Sequence, residues 1–505
     1  MSMNYDYVIV GAGAAGCVLA NRITADPNAT VLLLEAGGND QNQVDIITPS
    51  AFLTLLKGSN DWGYYTEEQP QLNRRKIYWP RGKVLGGSSS INAMVYIRGN
   101  KVDFDHWGDL GNKGWSFSDV LPYFKKAENY ENGDPFYHGL AGPLNVTNLL
   151  RPNQLSQTFI KAGLEIGLSF NNDFNGIQQE GVGFYRVNQL NGKRHSAAAA
   201  YLHPCWKRTN LTLKENAQAT RILFENNCVT GLEYVQNQNV QTVKVNKEVL
   251  LCGGTINSPQ LLILSGIGPA EQLRDLGIPV VVDLPGVGQN LHDHIQVFVS
   301  YESKQPIDVD IASNIGEAGG FTKTKPELSA PDLQLIFVPV PDLNYRSSSK
   351  SQGFAIGTAL TYPKSRGYLA LRSTNPFDSP IIQPNYLAVR EDLEVLVEGV
   401  KLVRRIANAS VFDKFRGQEK FLGLAAQCDE EISDYIRTMA ETQFHPVGTC
   451  KMGNDHMSVV DAQLRVYGTE GLRVIDSSIM PVITRGNTYA ATIMIAEKAA
   501  DIIGK

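Results

Sequence analysis

The chain begins with two short apolar runs separated by a segment of helical period. YDYVIV (5–10) has the length of a strand, AAGCVLANRI (14–23) places apolar residues at helical spacing, and TVLLLE (30–35) is a second apolar run that ends at Glu35. Continuous apolar runs of this length are typical of strands covered on both faces. The order strand, helix, strand therefore predicts a βαβ unit in a parallel sheet.

Two more apolar runs follow in the middle of the chain. ATRILFE (219–225) and KEVLLCGG (247–254) flank a polar turn, and this pattern predicts a hairpin that returns to the first sheet. The next segment, 254–269, predicts a turn and then a helix. Asn257 and Ser258 are candidate caps of this helix, with Pro259 in its first turn.

Residues 296–390 have a different period. They alternate apolar and polar positions between turn signals, as in VFVSYE and DLQLIFVPV, which predicts an antiparallel sheet with one face covered. Helical spacing then returns in 390–409 and 430–440, and the chain closes with a strand, LRVIDSSIMP, a loop and the helix YAATIMIAEKAADIIG. The fold class is therefore α/β, or α+β overall: a Rossmann-like βαβ domain plus a second domain with an antiparallel sheet backed by helices.

The loop after the first strand carries a G-x-G-x-x-G pattern. Gly11 permits a tight turn, Gly13 lets the backbone approach a pyrophosphate, and Gly16 lets the helix pack close to the strand. The helix then directs its first N–H groups at the phosphates, and Glu35 is placed to accept hydrogen bonds from ribose hydroxyls. The pattern predicts a dinucleotide site. It does not choose between FAD and NAD, but the acidic residue argues against NADP.

Composition and charge narrow the class of protein. The 505 residues are 43% hydrophobic and 19% charged, with a net charge of −5, which predicts a soluble globular protein that does not bind nucleic acid. No apolar run reaches the roughly 20 residues of a membrane span. The first strand at residue 5 leaves no room for a signal peptide, so a cytoplasmic location is expected. Six cysteines without a C-x-x-C pair argue against disulfides and zinc, and no metal site is expected.

Five separated motifs resemble those of the glucose–methanol–choline (GMC) family of FAD-dependent oxidoreductases. They are GAGAAG (11–16), GKVLGGSSSIN (82–92), GGTINSPQLLILSGIGP (253–269), FHPVGTCKMG (444–453) and VIDSSIMPVITRGNT (474–488). The likeness spans the chain and is greatest to the choline-dehydrogenase-like alcohol oxidoreductases. It implies an FAD-binding domain made of 1–150, 190–295 and 450–505, and a substrate domain made of 151–189 and 296–449.

The resemblance to the family also implies which residues contact the cofactor. In this sequence they are Gly11, Gly13, Ala14, Ala15, Gly16, Glu35, Ala36, Arg81, Gly82, Val84, Gly86, Gly87, Ser88, Asn92, Ala93, Met94, Val95, Ala219, Cys252, Gly253, Asp476, Ser477, Asn487 and Thr488. The resemblance also implies that the last helix points its N-terminus at the flavin, where the positive end of its dipole stabilises the reduced, anionic form.

Alcohol oxidation needs a group that accepts the hydroxyl proton, and histidine is suited to this near neutral pH. His445 stands in FHPVGT, which matches the family's catalytic motif. Asn487 matches the position of the family's second catalytic residue, His or Asn, although an Asn before a helix commonly acts as an N-cap. The resemblance thus implies that His445 is the base and that Asn487 holds the same oxygen.

Three departures from the family pattern carry further expectations. Ile91 occupies the place where some relatives attach FAD through a histidine, so non-covalent FAD is expected. Tyr489 replaces a second asparagine of the terminal motif and reshapes the edge of the flavin site. The connection 305–320 is shorter than in many relatives, which suggests a more open substrate cavity.

Three residues bear on the choice of substrate. Glu302 resembles the glutamate of choline enzymes, Trp62 and Phe444 could form aromatic walls, and such groups recognise a trimethylammonium ion. The preferred interpretation is oxidation of an uncharged primary alcohol to an aldehyde, with O2 or another electron acceptor. Choline oxidation, a redox-silent hydroxynitrile-lyase-like activity and light-driven fatty-acid decarboxylation on the same fold are the alternatives. The sequence does not indicate the oligomeric state.

Overall fold

Two sheets, each with seven strands in the described part of the chain, organise the fold. The structure is a computed structural model and describes residues 4–341, 352–420 and 428–504. The first sheet is mostly parallel and the second is antiparallel, which confirms the α/β class with a Rossmann-like unit and a second, antiparallel sheet.

The first sheet is centred on the N-terminal strand Asn4–Val10, which lies parallel to a neighbour on each side. In spatial order its strands are Leu211–Lys214, Val31–Leu34, Asn4–Val10, Asn239–Leu251, Cys228–Gln236 and Ala217–Glu225, with Leu472–Val474 also paired to Asn239–Leu251. Val10 lies beside both Leu34 and Leu251, so the carboxyl ends of these three strands meet at one edge. Ligands of open α/β sheets bind at this edge.

The second sheet is built from strands in the middle and later parts of the chain. In spatial order they are Arg416–Lys420, Ile295–Ser303, Gly353–Leu360, Leu333–Val338, Ala318–Thr322 and Gly181–Phe184, with Glu441–Thr442 also paired to Ile295–Ser303. The helix Arg390–Ala407 packs on this sheet. Its apolar side is buried and its charged side is exposed, as its helical period predicts.

The remaining elements surround the two sheets. The α-helices are Ala14–Ile23, Val44–Ile47, Lys101–Asp109, Phe117–Ala127, Gln154–Glu165, Gly254–Leu264, Ala270–Asp275, Arg390–Ala407, Asp429–Met439 and Tyr489–Ile503. Short segments of tighter or wider helix occur at Pro49–Leu55, Pro70–Leu72, Gly87–Ser90, Ala198–Leu202, Ser410–Phe412 and Ser477–Ile479. Short strand pairs join Tyr64–Tyr65 to Tyr78–Trp79, Glu128–Asn129 to Leu144–Asn145, Gln189–Leu190 to Lys193–Arg194, Ile267–Gly268 to Val282–Asp283, and Tyr368–Ala370 to Ile381–Gln383.

The C-terminal helix Tyr489–Ile503 packs against two helices of the N-terminal half, Ala14–Ile23 and Phe117–Ala127. Glu497 is fully buried at this contact, where it pairs with Arg22 at 2.7 Å and accepts a hydrogen bond from the Tyr201 hydroxyl at 2.9 Å. A buried carboxylate needs such partners. Together they fix the position of the helix.

Among the described helices, none has the length and apolar content needed to cross a bilayer.

Two boundaries predicted from sequence are wrong. The helix expected after Asn257 and Ser258 already begins at Gly254, so Pro259 lies in its interior. Proline has no N–H to offer the carbonyl four residues back, and that carbonyl, of Thr255, accepts the Thr449 hydroxyl at 2.7 Å instead. The late strand covers only Leu472–Val474, because the chain turns into the short helix Ser477–Ile479.

The domain boundaries stay a prediction. The first sheet draws its strands from segments expected in the FAD-binding domain. The second sheet draws its strands from segments expected in the substrate domain, apart from Ile295 at a boundary.

Candidate active site

A cavity of about 340 Å³ lies where the carboxyl ends of the first sheet face the second sheet. This volume is within the range of roughly 300–1,000 Å³ typical of ligand pockets. Val10, Leu34 and Leu251 end the strands on one side, and Gln296 and Gln334 belong to strands on the other. Both sheets therefore contribute to one site.

Most of the residues expected to contact the cofactor line this cavity. They are Gly11, Gly13, Ala14, Ala15, Glu35, Ala36, Arg81, Gly82, Gly87, Ser88, Asn92, Ala93, Met94, Val95, Ala219, Cys252, Gly253, Asp476, Ser477, Asn487 and Thr488. Three others lie behind the wall. Gly16 packs against the Gly11 carbonyl, Val84 is buried beside Gly38, and Gly86 donates its N–H to the Ala12 carbonyl at 2.8 Å.

The glycine loops leave room for a flat, charged ligand. Gly11 has a φ of +97°, and a Cβ on it would lie 2.6 Å from the Cys252 carbonyl oxygen. A Cβ on Gly87 would lie 2.8 Å from the Gly13 Cα, so two backbones meet at the cavity wall without side chains. The helix Ala14–Ile23 also has no side-chain cap at Gly13. Its free N–H groups fit a pyrophosphate.

Glu35 is held in place at the end of its strand. Its two carboxylate oxygens accept hydrogen bonds from the backbone N–H groups of Ala12 at 2.9 Å and Gly37 at 2.8 Å. Burial raises the pKa of Glu35 to about 7, although these hydrogen bonds act in the opposite direction. Each oxygen keeps a further lone pair, and ribose hydroxyls would supply the donors that a buried carboxylate needs. This half of the cavity therefore fits the adenosine and pyrophosphate of a dinucleotide such as FAD.

A strained loop presents His445 at the other half of the cavity. Phe444 has a φ of +68°, which is costly for an aromatic residue and occurs chiefly where the surroundings enforce it. Three hydrogen bonds do so: the Thr442 hydroxyl accepts from the Phe444 N–H at 2.7 Å, Asp293 accepts from the His445 N–H at 2.7 Å, and Arg81 donates to the Phe444 carbonyl at 2.5 Å. The backbone around His445 is thus fixed.

Asp293 anchors that loop from below. It is fully buried, and its second carboxylate oxygen accepts hydrogen bonds from the hydroxyls of Tyr386 and Thr442. Burial raises the pKa of Asp293 to about 6, against the effect of its hydrogen bonds and of nearby Arg81. Asp293 therefore satisfies three donors at the base of the loop.

The hydrogen bonds of His445 determine where its proton lies. Nε2 of His294 lies 3.0 Å from the Thr361 carbonyl, which can only accept, so Nε2 of a neutral His294 carries the proton. Nδ1 of His294 is then an acceptor, and Nδ1 of His445, 3.0 Å away, must donate to it. Nε2 of His445 is left without a proton and can act only as an acceptor. This tautomer is inferred from the hydrogen-bond network.

Burial keeps both rings neutral. It lowers the pKa of His445 well below the usual value, and His294 and Arg81 nearby add to this effect. Burial likewise lowers the pKa of His294 to about 3, although its bond to the Thr361 carbonyl opposes the shift. The unprotonated Nε2 of His445 is therefore available as a proton acceptor at neutral pH.

Asn487 meets His445 at the cavity wall. Its amide nitrogen lies 3.1 Å from Nε2 of His445, and Gln334 lies 3.3 Å from its amide oxygen. The helix that follows starts at Tyr489 without a side-chain cap, so Asn487 is not its N-cap. The side chain is instead directed to the histidine. The uncapped N-terminus of the helix, with Thr488 and Tyr489, lines the same cavity.

The residues expected to recognise substrate are not all in one place. Trp62 and Phe444 line the cavity. Glu302 is not among the lining residues: its side chain is 51% exposed and lies 3.6 Å from Lys420 on the neighbouring strand.

Several residues of this site were not singled out in the sequence. They are Asp293, His294, Gln296, Gln334 and Thr361. The pair Asp293–His294 directly precedes the strand Ile295–Ser303, and two adjacent ionisable residues at the start of an apolar strand were a usable signal. Gln296 and Gln334 lie in strands of the second sheet. The alternation of apolar and polar residues in the sequence does not indicate that these two positions face a polar cavity.

All six cysteines are free. In the described parts of the chain, no cluster of three or more histidine, cysteine or acidic side chains could hold a metal ion.

Comparison with known proteins identifies relatives over nearly the whole chain. The family models described as GMC oxidoreductase match residues 5–296 and 363–496. An alcohol dehydrogenase [acceptor] of Pseudomonas putida is 45% identical, with 99% of this chain and 95% of that protein covered, and a mitochondrial choline dehydrogenase of Mus musculus is 44% identical, with 99% and 89% covered. Among solved structures, pyridoxine 4-oxidase from Mesorbium loti superimposes with a TM-score of 0.94 at 33% identity, with 99% of each chain covered.

Proposed function

This chain belongs to the GMC oxidoreductase family, as its motifs predicted, and we propose that it oxidises an uncharged primary alcohol to an aldehyde with non-covalently bound FAD. The observation that carries the proposal is the unprotonated Nε2 of buried His445, 3.1 Å from the Asn487 amide nitrogen, in the cavity that the glycine loops also line. FAD, when bound, supplies the acceptor for the hydride that leaves the alcohol carbon.

His445 and Asn487 provide complementary partners for a hydroxyl group. Nε2 of His445 accepts the hydroxyl proton, and Nδ2 of Asn487 donates a hydrogen bond to the oxygen. As the proton leaves, negative charge grows on that oxygen and the Asn487 bond strengthens, which lowers the barrier. The fixed loop backbone under His445 holds the reacting groups in position.

The charges around the cavity favour an uncharged substrate. Of the described residues that line it, only Glu35 and Asp476 are acidic, and both carboxylates accept backbone hydrogen bonds among the residues expected to hold FAD. The Trp62 ring stacks on Tyr64, and the Lys83 ammonium lies 4.4 Å from its ring centre. A quaternary ammonium ion would compete with Lys83 for that ring. Among the described residues that line the cavity, it would find no acidic side chain besides Glu35 and Asp476.

Ile91 supports dissociable FAD. It is buried in the cavity wall at the position where some family members carry the histidine that attaches the cofactor. An isoleucine side chain cannot form that bond. FAD released by acid precipitation should therefore be found in the supernatant.

The alternatives are separated by what they require. A hydroxynitrile lyase would keep its rate when the flavin is reduced, and a photodecarboxylase would need light. The presence of both His445 and Asn487 favours alcohol oxidation. Reoxidation by O2 or another acceptor and a cytoplasmic location remain part of the proposal.

The test is the visible spectrum of the purified protein, recorded anaerobically in the dark before and after adding alcohols. The panel contains benzyl alcohol, aliphatic primary alcohols and choline. Loss of the oxidised-flavin band with an uncharged alcohol supports the proposal. Reduction by choline alone would contradict the uncharged substrate, and an oxidised flavin across a broad panel would contradict alcohol oxidation.

A further inference from the structure

We propose that Gln334, itself held by Tyr185, is a positioning residue that fixes the orientation of the Asn487 amide and so determines which of its atoms faces the substrate oxygen. This inference deepens the function proposed above and rests on it. Gln334 is 1% exposed, on the central strand Leu333–Val338 of the second sheet, and lines the cavity.

The Tyr185 hydroxyl provides the starting point. It donates its only proton to the Leu335 carbonyl at 2.5 Å, which can only accept. Toward Gln334, 3.2 Å away, the phenolic oxygen must therefore act as an acceptor. Burial raises the pKa of Tyr185, so the phenol keeps its proton. The Gln334 atom that faces Tyr185 must then be its NH2 group.

The other end of the Gln334 side chain is consistent with this orientation. Its amide oxygen accepts a hydrogen bond from the Gln443 amide at 2.9 Å. The same NH2 group that meets Tyr185 lies 3.3 Å from Asn487, so the Asn487 atom facing it must be the oxygen. The NH2 group of Asn487 is consequently turned toward Nε2 of His445.

The His445 side leads independently to the same arrangement. The Thr361 carbonyl fixes the proton of His294, and His294 in turn leaves Nε2 of His445 as an acceptor. An acceptor there requires the NH2 group of Asn487, not its oxygen. The backbone carbonyls of Leu335 and Thr361 thus anchor the two ends of one hydrogen-bond chain, and both ends give the same orientation for Asn487.

This orientation suits an alcohol. A hydroxyl that enters beside Asn487 and His445 meets one donor and one acceptor, so it can give its proton to Nε2 and accept from Nδ2. A flipped amide would offer two acceptors and leave the developing negative charge without a donor. Because the Asn487 bond strengthens only as charge develops, loss of the orientation should lower kcat more than it raises KM.

The decisive variant is Gln334→Glu. An ionised carboxylate has only acceptors, so it would attract the Asn487 NH2 group and turn the Asn487 oxygen toward His445. When protonated, the introduced carboxyl group can still donate to Asn487. We therefore expect kcat to fall as pH rises through the pKa of the new carboxyl group, by about 100-fold in all, with KM changed less than about threefold. A role confined to packing would give no such new pH dependence.

Gln334→Met, which removes the donor without adding charge, should lower kcat by about tenfold with no new pH dependence.

In an Asn487→Ala background, Gln334→Glu should cause little further loss of kcat, because the two residues act on one interaction. Folding is checked by the bound-flavin spectrum and circular dichroism. If Gln334→Glu keeps a wild-type pH profile and a kcat within threefold of wild type, the proposal is wrong.

A second readout does not depend on turnover. In 15N-histidine-labelled enzyme, NMR should show the His445 ring neutral with its proton on Nδ1. In Gln334→Glu at high pH, the Nε2 resonance should move toward that of a nitrogen that accepts no hydrogen bond. The His445 resonance is assigned from its absence in His445→Ala. An unchanged Nε2 signal in Gln334→Glu would contradict the proposed role of Gln334. This holds even if no alcohol reduces the wild-type flavin, because that result would contradict only the proposed reaction.

Discussion

At the scale of residues, the site depends on the positions of a few protons. Two histidines and an asparagine, His294, His445 and Asn487, form a chain in which each donor meets an acceptor. Burial, more than any neighbouring charge, keeps the pKa of His445 low. Nε2 of His445 is therefore unprotonated at neutral pH, and the ring is oriented by His294. In other sites an acidic group orients the imidazole.

Asn487→Ala should slow flavin reduction by about 10- to 100-fold, because hydrogen bonds to charged groups contribute roughly 1.5–3 kcal/mol. FAD should remain bound. Rapid-mixing measurements of flavin reduction, with the alcohol that reduces the wild type fastest, check this. If Asn487→Ala were slower than the matching His445 variant, the roles of the two residues would have to be exchanged.

At the scale of elements, the motifs predicted which segments approach the cofactor. The hydrogen bonds that hold the FHPVGT segment in place became visible only in the structure. The FHPVGT loop could be recognised by its residue types. The residue types do not show its strain at Phe444 or its attachment to Asp293, which lies 152 positions away in sequence. The low helix propensity of proline also misplaced the start of the helix that contains Pro259. The proline is accommodated inside the helix because the Thr449 hydroxyl donates to the carbonyl that it leaves without a partner.

Asp293→Asn tests whether Asp293 holds the loop that carries His445. An asparagine retains one acceptor oxygen in place of two, while three donors, from Tyr386, Thr442 and the His445 backbone, point at the residue. At least one buried donor should lose its partner, at a cost of about 1–3 kcal/mol. We expect a lower Tm and slower flavin reduction together. A Tm equal to that of the wild type would show that Asp293 does not hold the loop.

At the scale of the whole molecule, parts distant in sequence converge on one cavity. The sequence predicted this because five family motifs are spread across the chain, from GAGAAG at its start to the GNT segment before its last helix. Glu302, expected near the substrate from its resemblance to the glutamate of choline enzymes, does not line the cavity and is half exposed. A buried ion cluster, unnoticed in the sequence, ties the 82–100 segment to the helix Phe117–Ala127 and its following strand.

That cluster gives stability a pH dependence. His138 is buried between Glu128 at 2.9 Å and Asp173 at 2.8 Å, and Glu128 also pairs with Arg98. Burial lowers the pKa of His138, but the hydrogen bonds to Asp173 and Glu128 outweigh it, so the net pKa is raised. A raised pKa in the folded state contributes stability that is complete below the unfolded value of about 6.5 and is lost as pH rises through the folded value.

His138→Gln should therefore lower the Tm more at pH 6 than at pH 9, with a cost near pH 6 of about 1–3 kcal/mol. His456→Gln is the matched control, because His456 is exposed, and it should leave the Tm unchanged at both pH values. Thermal unfolding of the FAD-loaded protein gives the comparison. An equal loss at pH 6 and pH 9 would show that protonated His138 does not stabilise the cluster.

The role of His445 as the base is tested most directly by the rate of flavin reduction in His445→Ala, measured anaerobically by rapid mixing with the alcohol that reduces the wild type fastest. The visible spectrum must first show that FAD is bound. Removal of a positioned base typically costs about 10²–10⁴-fold, and we predict a loss in that range or larger, because Asn487 also loses its partner. A loss smaller than tenfold would contradict the assignment of His445 as the proton acceptor.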